Sequence, residues 1–380
     1  MLIIKKAKIF QVRIPFSVQV THNLAKRQES HGFLLELTDK DGLRGYGEGT
    51  PRSYVTGEAF EETKKVLNQI AGELVGYQAE NEGIFLHFLE QLKEDDRLAS
   101  YPSALCCLEL ALLDLYCKRI SIPIWKLVVD KPATDTISYS SILPLLSSMQ
   151  RKSILRLTKQ FQIRQIKTKA TSIGDTLKVV TEIQNTLGAD ADIRIDANGA
   201  FSAEQAIGLA REIEAAGLSI SSLEQPVPKE DLEGMKEVEK ATGLPTIADE
   251  SFCSKDDLQR IIAKRSCKGL NVRLSKCGGL LNCKDMVECA RNAGLFCQLG
   301  CHVGETSILY AAGRQLAAIC GPFRYTEGCY SKFLLKEDIV LNPLEFGLEG
   351  KTTIPTDPGL GVKIKESALR RYCHPVAEIY

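Results

Sequence analysis

The chain lacks the features that usually mark a protein for nucleic acid or for a membrane. Its 380 residues contain 48 basic and 48 acidic side chains, so its formal net charge is zero. A chain without excess charge has no electrostatic surface for nucleic acid or anionic lipid, and we expect neither as a partner. The best candidate for a membrane span, Ala104–Tyr116, contains Glu109 and Asp114 and therefore predicts an amphipathic helix.

Targeting and disulfide signals are also missing. The N-terminal sequence has no apolar core followed by a small-residue cleavage site, so we interpret it as a first strand. The 13 cysteines show no paired CxxC spacing: Cys106 and Cys107 are adjacent, and Cys297 and Cys301 are four residues apart. Scattered cysteines in a chain of this length indicate buried, reduced thiols, and we expect a cytoplasmic protein.

The pattern of the first 130 residues predicts a small α+β domain. Leu2–Arg13 alternates between apolar and polar residues, and Phe33–Thr38 and Gly42–Tyr46 flank a turn that is typical of a hairpin. Helical patterns follow at roughly 57–74, 80–93 and 102–118. Strands followed by helices favour an α+β arrangement.

Residues 131–345 show a repeating pattern of short strands and helices. After a first strand at Thr136–Ile142, the strand ends fall near Lys169, Asp196, Glu224, Asp249, Lys276 and Cys301, at steps of 25 to 28 residues. A last strand near Phe323–Thr326 makes eight, which predicts a (β/α)₈ barrel. A doubly wound open sheet is disfavoured because no GxGxxG turn follows the first strand. Residues 346–380 are predicted to pack back on the first domain.

Lysines end two strands that lie opposite each other among eight. Lys167 and Lys169 end the second strand and point to the same face, where two crowded ammonium groups would lower each other's pKa. Lys276 is predicted to end the sixth strand, in the segment Leu274–Gly279. A base on each side of a substrate carbon would remove a proton from one face and return it to the other.

Acidic residues end the three strands between those lysines. Asp196, Glu224 and Asp249 end the third, fourth and fifth strands, so one end of the barrel would hold three carboxylates. Such a set needs a counter-ion, and hard oxygen ligands suit Mg²⁺. Single carboxylates at these junctions are often helix caps, but three on adjacent strands favour a divalent metal site.

These motifs together resemble the enolase superfamily, in its muconate-lactonizing-enzyme subgroup (the mandelate racemase/muconate lactonizing enzyme family). The segments that carry the resemblance are Lys167–Lys169, Asp196–Asn198, Glu224–Pro226, Asp249–Glu250 and Lys276–Gly279. The resemblance implies Mg²⁺ on Asp196, Glu224 and Asp249, acid/base roles for Lys169 and Lys276, and a tuning role for Lys167. It also implies a modified TIM barrel with an α+β capping domain, and a homo-oligomer is expected because family members are commonly oligomers.

Substrate contacts in this family come from the capping domain and from the ends of the last two strands. In this chain those places supply a set of candidate substrate-binding residues. They are Asn198, Glu250, His302, Glu305, Glu327, Thr21, Arg27, Arg52 and Tyr54. The segment Val55–Glu58 resembles a loop of dipeptide epimerases, whereas Tyr325–Cys329 replaces the Asp-x-Asp that holds the ammonium group of a dipeptide. Glu327 is the remaining candidate there for a cationic nitrogen.

The resemblance therefore predicts a Mg²⁺-dependent epimerase or racemase that removes the proton next to a carboxylate and passes through an enolate. A dipeptide or N-acyl amino acid is the preferred substrate, a small-molecule carboxylate in either case. Cycloisomerisation of the muconate type and dehydration of the o-succinylbenzoate synthase type remain open, since one lysine serves as base in each. A metal-stabilised binding protein without catalysis and a Schiff-base aldolase are alternatives of other classes.

Overall fold

The structure is a computed structural model that describes residues 1–22 and 25–380, with side chains outside 18–26. An antiparallel sheet with helices forms the N-terminal domain. Its elements are β1 (Leu2–His22), β2 (Ala25–Asp39), β3 (Arg44–Gly49), α1 (Phe60–Leu74), β4 (Gln78–Ala79), α2 (Glu82–Lys93), α3 (Pro102–Arg119) and α4 (Ile124–Val128). The strands β1, β2 and β3 are neighbours in the sheet, and β4 pairs with the start of β1.

The central helix α3 packs directly on β3 because that strand carries glycine at every second position. A Cβ at Gly47 would lie 2.0 Å from Cys107 O, and one at Gly49 would lie 2.1 Å from Ser103 O. Both distances are far below van der Waals contact, so only glycine permits this approach. The helix is buried along almost its whole length, which explains why an apolar stretch with two acidic residues folds inside the protein.

After β5 (Thr136–Ser138), eight parallel strands follow one another around the second sheet in chain order. They are β6 (Ser141–Leu143), β7 (Gln165–Lys169), β8 (Asp192–Asp196), β9 (Ser222–Glu224), β10 (Thr246–Ala248), β11 (Gly269–Val272), β12 (Phe296–Leu299) and β13 (Tyr325–Thr326). The Ser140 N–H donates to Thr326 O at 2.8 Å and links the first strand to the last. The predicted (β/α)₈ barrel with an α+β capping domain is confirmed.

Helices alternate with the barrel strands, and six of these nine helices begin with a capping side chain. They are α5 (Ser148–Gln160), α6 (Ile173–Leu187), α7 (Ala203–Ala215), α8 (Leu232–Thr242), α9 (Lys255–Lys264), α10 (Leu274–Cys277), α11 (Leu280–Asn292), α12 (Ser307–Cys320) and α13 (Ser331–Leu334). Ser147, Ser202 and Ser254 each form a reciprocal capping box, which satisfies backbone donors at a helix start. These caps fix where each strand-to-helix loop ends.

The C-terminal segment reaches both domains. Its elements are β14 (Lys351–Thr353), α14 (Glu366–Tyr372) and β15 (Cys373–Ile379). The strand β14 pairs with β5, and β15 pairs antiparallel with β1 at the edge of the capping sheet. The segment therefore covers an edge that would otherwise expose unpaired backbone groups.

Two capping-domain carboxylates are inserted at the starts of barrel helices. Glu48 accepts hydrogen bonds from the Thr306 and Leu309 N–H groups at 3.0 and 3.2 Å, at the start of α12. Glu109 accepts from the Leu280 and Leu281 N–H groups at 2.5 and 3.3 Å, at the start of α11. Unpaired helix N–H groups and the helix dipole both favour a carboxylate there, so the two contacts join the domains.

Two strand boundaries differ from the sequence-based expectation. The predicted first barrel strand, Thr136–Ile142, is two strands, because residues before 140 pair with β14 and those after it join the barrel. The predicted end of the sixth strand at Lys276 is wrong: β11 ends at Val272, and Lys276 lies in the one-turn helix α10. The Gly278–Gly279 pair has positive φ angles and ends that helical turn.

All 13 cysteines are free thiols, and ten of them are buried. Within the residues that the structure describes, no helix combines the length and apolar character needed to cross a bilayer.

Candidate active site

A cavity of 280 Å³ opens at the carboxyl ends of the barrel strands. In (β/α)₈ barrels this end carries the catalytic groups because the strand-to-helix loops converge there. Lys167 and Lys169 from β7 line the cavity, together with Tyr54 and Val55 from the capping domain. Both domains therefore contribute to the site.

The two lysines of β7 face different carboxylates. Lys169 Nζ lies 2.5 Å from Asp196 Oδ2 and 2.6 Å from Asn198 Oδ1, and its side chain keeps 16% of its exposure. Lys167 Nζ lies 2.7 Å from Glu327 and 3.2 Å from Glu224 and is almost fully buried. Lys169 is therefore the lysine of this pair that a substrate can reach.

The pKa of Lys167 is raised, contrary to the expectation that the paired lysines depress each other. Burial alone would lower this pKa, but the negative charges of Glu224, Glu327 and Asp196 outweigh burial. The sequence pattern shows the neighbouring ammonium group but does not show how many carboxylates surround it. Lys167 is thus a fixed positive charge beneath the site.

The three predicted metal-ligand carboxylates lie at the ends of neighbouring strands. Asp196 and Glu224 are direct partners in the parallel register of β8 and β9, and Asp249 follows β10. All three are fully buried. Each of these carboxylates forms an ion pair with a lysine or arginine side chain. Among the described residues, no three acidic, histidine or cysteine side chains are placed to hold a metal ion together.

Glu224 is the most heavily bonded of the three. It accepts hydrogen bonds from Asn271 Nδ2 at 2.9 Å and Gln298 Nε2 at 3.0 Å, besides the contact with Lys167. Burial alone would raise its pKa, but Lys167, Arg194 and Arg273 hold the pKa below its ordinary value. In Asp196 the balance is reversed, because burial and the charges of neighbouring carboxylates raise its pKa despite its two lysine partners.

Lys276 lies against Asp249, away from the cavity wall. Its Nζ donates to Asp249 Oδ1 at 2.9 Å, to Asp249 O at 2.7 Å and to Asn271 O at 2.8 Å, and the residue is fully buried. In this structure Lys276 therefore does not line the open cavity opposite Lys169. Because β11 ends at Val272 and a helical turn follows, the Lys276 side chain lies against Asp249.

Arg273 lies on the cavity wall near the position expected for Lys276. One of its terminal nitrogens forms an ion pair with Asp249, and the same nitrogen lies 3.8 Å from Glu224. No motif singles out Arg273, Asn271, Gln298 or Arg194. The signal that would find Arg194, Asn271 and Gln298 is a polar residue inside an otherwise apolar strand, because such residues must turn their side chains towards a polar interior. Arg273 follows the end of β11, so this signal does not mark it.

Asn198 and Glu250 line the cavity next to Lys169, and both were predicted as substrate contacts. Asn198 Nδ2 donates to Glu250 Oε1 at 2.9 Å, and Asn198 Oδ1 accepts from Lys169. Glu250 Oε2 is buried and has no hydrogen-bond partner among the described residues. Asn198 therefore positions both a lysine and a carboxylate at the wall.

His302 also lines the cavity. Its Nδ1 shares a 3.0 Å hydrogen bond with Thr50 Oγ1, and its buried Nε2 has no partner within the described part of the chain. Burial and the nearby charges of Arg273 and Arg52 hold the pKa of His302 well below its ordinary value, so the imidazole is neutral. Glu305 does not line this cavity; it accepts a hydrogen bond from the His302 N–H at 2.7 Å.

Glu327 lines the cavity, but internal cations already hold it. Its Oε1 lies 2.7 Å from Lys167 Nζ and 2.8 Å from Arg194 Nη2. A cationic nitrogen of a substrate would compete with both. The sequence identifies the acidic residue at the end of β13. It does not reveal that Lys167 from β7 and Arg194 from β8 contact this residue.

The capping-domain candidates separate into two groups. Tyr54 lines the cavity, whereas neither Arg27 nor Arg52 is among the described residues that line it. Arg52 donates to three backbone carbonyls, those of His31, Pro51 and Val303, and so ties the capping domain to the loop after β12. The Thr21 side chain lies outside the described residues.

Comparison with known proteins agrees with this architecture. The chain is 30% identical over 322 residues to an L-Ala-D/L-Glu epimerase of Clostridium acetobutylicum, covering 83% of this chain and 87% of that protein. Its fold resembles the N-succinyl Arg/Lys racemase of Bacillus cereus, with a TM-score of 0.87, 22% identity and coverage of 99% and 98%. It also resembles a dipeptide epimerase of Enterococcus faecalis solved with Mg and L-Leu-L-Tyr, with a TM-score of 0.83, 24% identity and coverage of 95% and 99%.

Family models match both parts of the chain. The N-terminal domain of mandelate racemase / muconate lactonizing enzyme matches residues 4–128, and the enolase C-terminal domain-like family matches residues 150–368. The second match alone spans more than half of the chain. The predicted resemblance is therefore confirmed: this chain belongs to the mandelate racemase/muconate lactonizing enzyme family of the enolase superfamily.

Proposed function

We propose that this chain is a divalent-metal-dependent epimerase or racemase that acts at the carbon next to a carboxylate of a dipeptide or N-acyl amino acid. The observation that carries the proposal is the position of Lys169. Its Nζ lies on the cavity wall beside Asp196, within a ring of carboxylates at the strand ends. The named relatives, which are epimerases and racemases of amino acid derivatives, support the same reaction class.

The residues at the strand ends fit a divalent metal by their chemistry. Asp196, Glu224 and Asp249 supply hard carboxylate oxygens, and we assign them as the ligands of Mg²⁺. Arg273 and Lys169 now hold two of these carboxylates, so they must release or share them when the metal binds. The bound dication would neutralise charge that develops on the substrate carboxylate.

Lys169 is assigned as the base that removes the α-proton, with Asn198 fixing its position. Proton removal leaves negative charge on the substrate, and Lys167, Arg273 and Lys276 supply positive charge near it. Lys276 is assigned as the second acid/base on the opposite face. For that role its Nζ must exchange one of its hydrogen bonds to Asp249 or Asn271 for the substrate carbon.

The test is α-proton exchange in D₂O with a library of dipeptides and N-acyl amino acids, followed by mass spectrometry and chiral chromatography. We expect deuterium to enter at the α-carbon together with inversion. With Lys276→Ala, exchange should be lost from one enantiomer, and with Lys169→Ala it should be lost from the other. Absence of exchange with every substrate in the presence of Mg²⁺ would contradict the proposal.

A second candidate is a one-base reaction, namely dehydration or cycloisomerisation. The observation that favours it is the full burial of Lys276, which acts from there as an electrostatic group without reaching the substrate. One accessible lysine is sufficient for syn-elimination. Release of water or ring formation, with no racemisation of any amino acid derivative, would favour this candidate over epimerisation.

A further inference from the structure

One buried imidazole nitrogen on the cavity wall has no partner. His302 follows β12, lines the cavity and is 3% exposed, and its Nε2 has no hydrogen-bond partner among the described residues. A buried polar atom without a partner costs free energy, so its place on a cavity wall indicates that a ligand completes it. The ligand must supply an acceptor or a donor, depending on which ring nitrogen carries the proton.

The backbone of His302 and its other ring nitrogen are both held in place. The His302 N–H donates to Glu305 Oε1 at 2.7 Å, and Nδ1 shares a 3.0 Å hydrogen bond with Thr50 Oγ1. Thr50 follows β3 in the capping domain, and its own N–H donates to Ser275 Oγ at 2.8 Å. The capping domain therefore orients the imidazole from the side opposite the cavity.

Hydrogen-bond accounting decides the tautomer of this imidazole. Thr50 is 1% exposed and is not among the described residues that line the cavity, and within that part of the chain its hydroxyl contacts only His302. If Nδ1 carried the proton, the Thr50 O–H would be a buried donor without an acceptor among those residues. If the hydroxyl donates to Nδ1, the ring proton lies on Nε2, where a ligand in the cavity can accept it. The second arrangement is therefore favoured.

The charge state of His302 agrees with this role. Burial and the positive charges of Arg273, Arg52 and Lys276 hold its pKa well below the ordinary value, so the ring carries one proton and no charge. A neutral imidazole with its proton on Nε2 donates a hydrogen bond from that nitrogen. The ligand group that meets it is therefore an oxygen acceptor.

The place of β12 in the barrel indicates which oxygen this is. The eight strands form a closed ring in chain order, so β12 lies four places from β8, which ends at Asp196. A substrate whose carboxylate is held beside Asp196 and its neighbouring carboxylates directs its other end towards β12. In a dipeptide or an N-acyl amino acid, the acceptor on that side of the α-carbon is the amide carbonyl oxygen.

We infer that His302 donates a hydrogen bond from Nε2–H to the amide carbonyl oxygen of the substrate, and that Thr50 is the positioning residue that fixes this tautomer. The inference rests on the proposed function and deepens it. The amide carbonyl gains little charge when the α-proton leaves, so this hydrogen bond is as strong before the reaction as during it. Such uniform binding lowers KM and leaves kcat nearly unchanged.

The first experiment measures the tautomer without using activity. Nitrogen-15 NMR of the full chain with labelled histidine distinguishes a ring nitrogen that carries a proton from one that does not. The chain has five histidines, and His302→Gln identifies the His302 signals by subtraction. We expect the proton on Nε2 in the unmodified protein and in Thr50→Ser, which keeps the hydroxyl, and a mixture of both tautomers in Thr50→Val. A proton on Nδ1 in the unmodified protein would overturn the inference.

The second experiment compares the matched variants His302→Gln and His302→Met. Glutamine places an N–H near the position of Nε2, whereas methionine has a similar size and no donor. With Mg²⁺ and the N-acyl amino acid of the library that exchanges fastest, His302→Met should raise KM about tenfold, the effect of about one hydrogen bond, and change kcat by less than about twofold. His302→Gln should restore most of the lost affinity. Thermal unfolding of both variants verifies that they fold.

A substrate pair identifies the oxygen that His302 contacts. The same amino acid is supplied with an acyl group or with the corresponding thioacyl group, whose sulfur is a weak acceptor. The unmodified protein should show a higher KM for the thioacyl compound, and His302→Met should show nearly equal KM values for the two. The loss of the difference in the variant measures the coupling between the imidazole and the carbonyl oxygen.

The outcomes separate the inference from the function on which it rests. A loss of kcat without a change of KM in His302→Met, or equal losses in His302→Met and His302→Gln, would overturn the inference and leave the epimerase proposal standing. A thioacyl effect that persists in His302→Met would also overturn it. No exchange with any derivative would remove the proposed function and the assigned carbonyl partner with it, and the NMR spectrum would still decide whether Nε2 is a donor.

Discussion

Buried carboxylates occur in two regions of this molecule, and the two regions stabilise them differently. At the strand ends, Asp196, Glu224 and Asp249 face lysine and arginine side chains. At the domain junction, Glu48 and Glu109 accept hydrogen bonds from hydroxyl or backbone N–H groups at the starts of α12 and α11. The carboxylates of the first set pair with ionised side chains, whereas those of the second set pair with the dipoles of N–H and hydroxyl groups.

The pKa values of Glu48, Glu109 and Glu224 follow this difference, whereas burial and neighbouring carboxylates raise the pKa of Asp196 despite its lysine partners. Burial raises the pKa of Glu48 to about 7 and that of Glu109 to about 8, although hydrogen bonds from the helix starts act in the opposite direction. Cations hold the pKa of Glu224 low although it is equally buried. Helix N–H groups therefore supply hydrogen bonds to a buried carboxylate but do not fully compensate for its loss of hydration. Side-chain cations can supply hydrogen bonds and also compensate for that loss.

The largest expected effect concerns the cation that a substrate can reach. Lys169→Ala should reduce turnover by about 10²- to 10⁴-fold, because the base assigned to α-proton removal is lost. Steady-state rates of epimerisation give the measurement, and a Mg²⁺ titration should show that the metal still binds. The control is Lys178→Ala, since Lys178 is exposed on α6 and lies outside the cavity wall. Full activity of Lys169→Ala would remove Lys169 from the mechanism.

Removing the negative charge of Asp249, one of the carboxylates that pair with cations at the strand ends, should have the next largest effect. Asp249→Asn leaves Lys276 and Arg273 without their partner, and breaking a buried ion pair costs about 3–5 kcal/mol of stability. The same change should weaken Mg²⁺ binding. Calorimetric Mg²⁺ titration and urea unfolding measure the two effects, with the exposed Asp357→Asn as control. Unchanged Mg²⁺ affinity would mean that Asp249 is not a ligand.

Replacing Glu109, which accepts hydrogen bonds from N–H groups at the start of α11, should change how the stability of the protein depends on pH. The pKa of Glu109 in the folded protein, about 8, lies above its ordinary value of 4.5, so the folded chain keeps a proton that the unfolded chain loses. The stability from this proton is full below about pH 4.5 and is lost as the pH rises through 8. Glu109→Gln should remove this loss, which corresponds to a few kcal/mol at about 1.4 kcal/mol per pKa unit.

Urea unfolding between pH 5 and pH 9 measures that dependence. The difference between the unmodified protein and Glu109→Gln should grow in favour of the variant as the pH rises. The exposed Glu62→Gln should follow the unmodified protein at every pH. Parallel curves for the unmodified protein and Glu109→Gln would show that the junction carboxylate has an ordinary pKa.

The smallest effect is expected where charges pair without burial. Arg164 and Asp190 form an ion pair whose side chains are 76% and 64% exposed. Water and salt screen such a pair, so Arg164→Ala should change the free energy of unfolding by no more than about 0.5 kcal/mol. Urea unfolding at neutral pH measures it. A loss comparable to that of Asp249→Asn would show that burial is not what separates the two kinds of ion pair.

The barrel and the acidic strand ends were predictable from the sequence because they follow a period. Strand ends that recur every 25 to 28 residues place Lys169, Asp196 and Glu224 at one end of a closed sheet, and β7, β8 and β9 end at those residues. Lys276 departed from the pattern because β11 ends at Val272 and the chain then turns through the short helix α10, which contains Lys276. Arg273 was not predictable as a wall residue without knowing that departure.

Sequence alone determined the family, the order of strands and the types of charged group at their ends, since these depend on local pattern and on spacing along the chain. Only the tertiary structure decided which cation meets which carboxylate, as with Glu327 and its partners Lys167 and Arg194. It also decided that Glu48 and Glu109 meet helix starts in the other domain. The physical reason is that pairing energies depend on distances across the barrel and between domains, and neither distance is encoded in neighbouring residues.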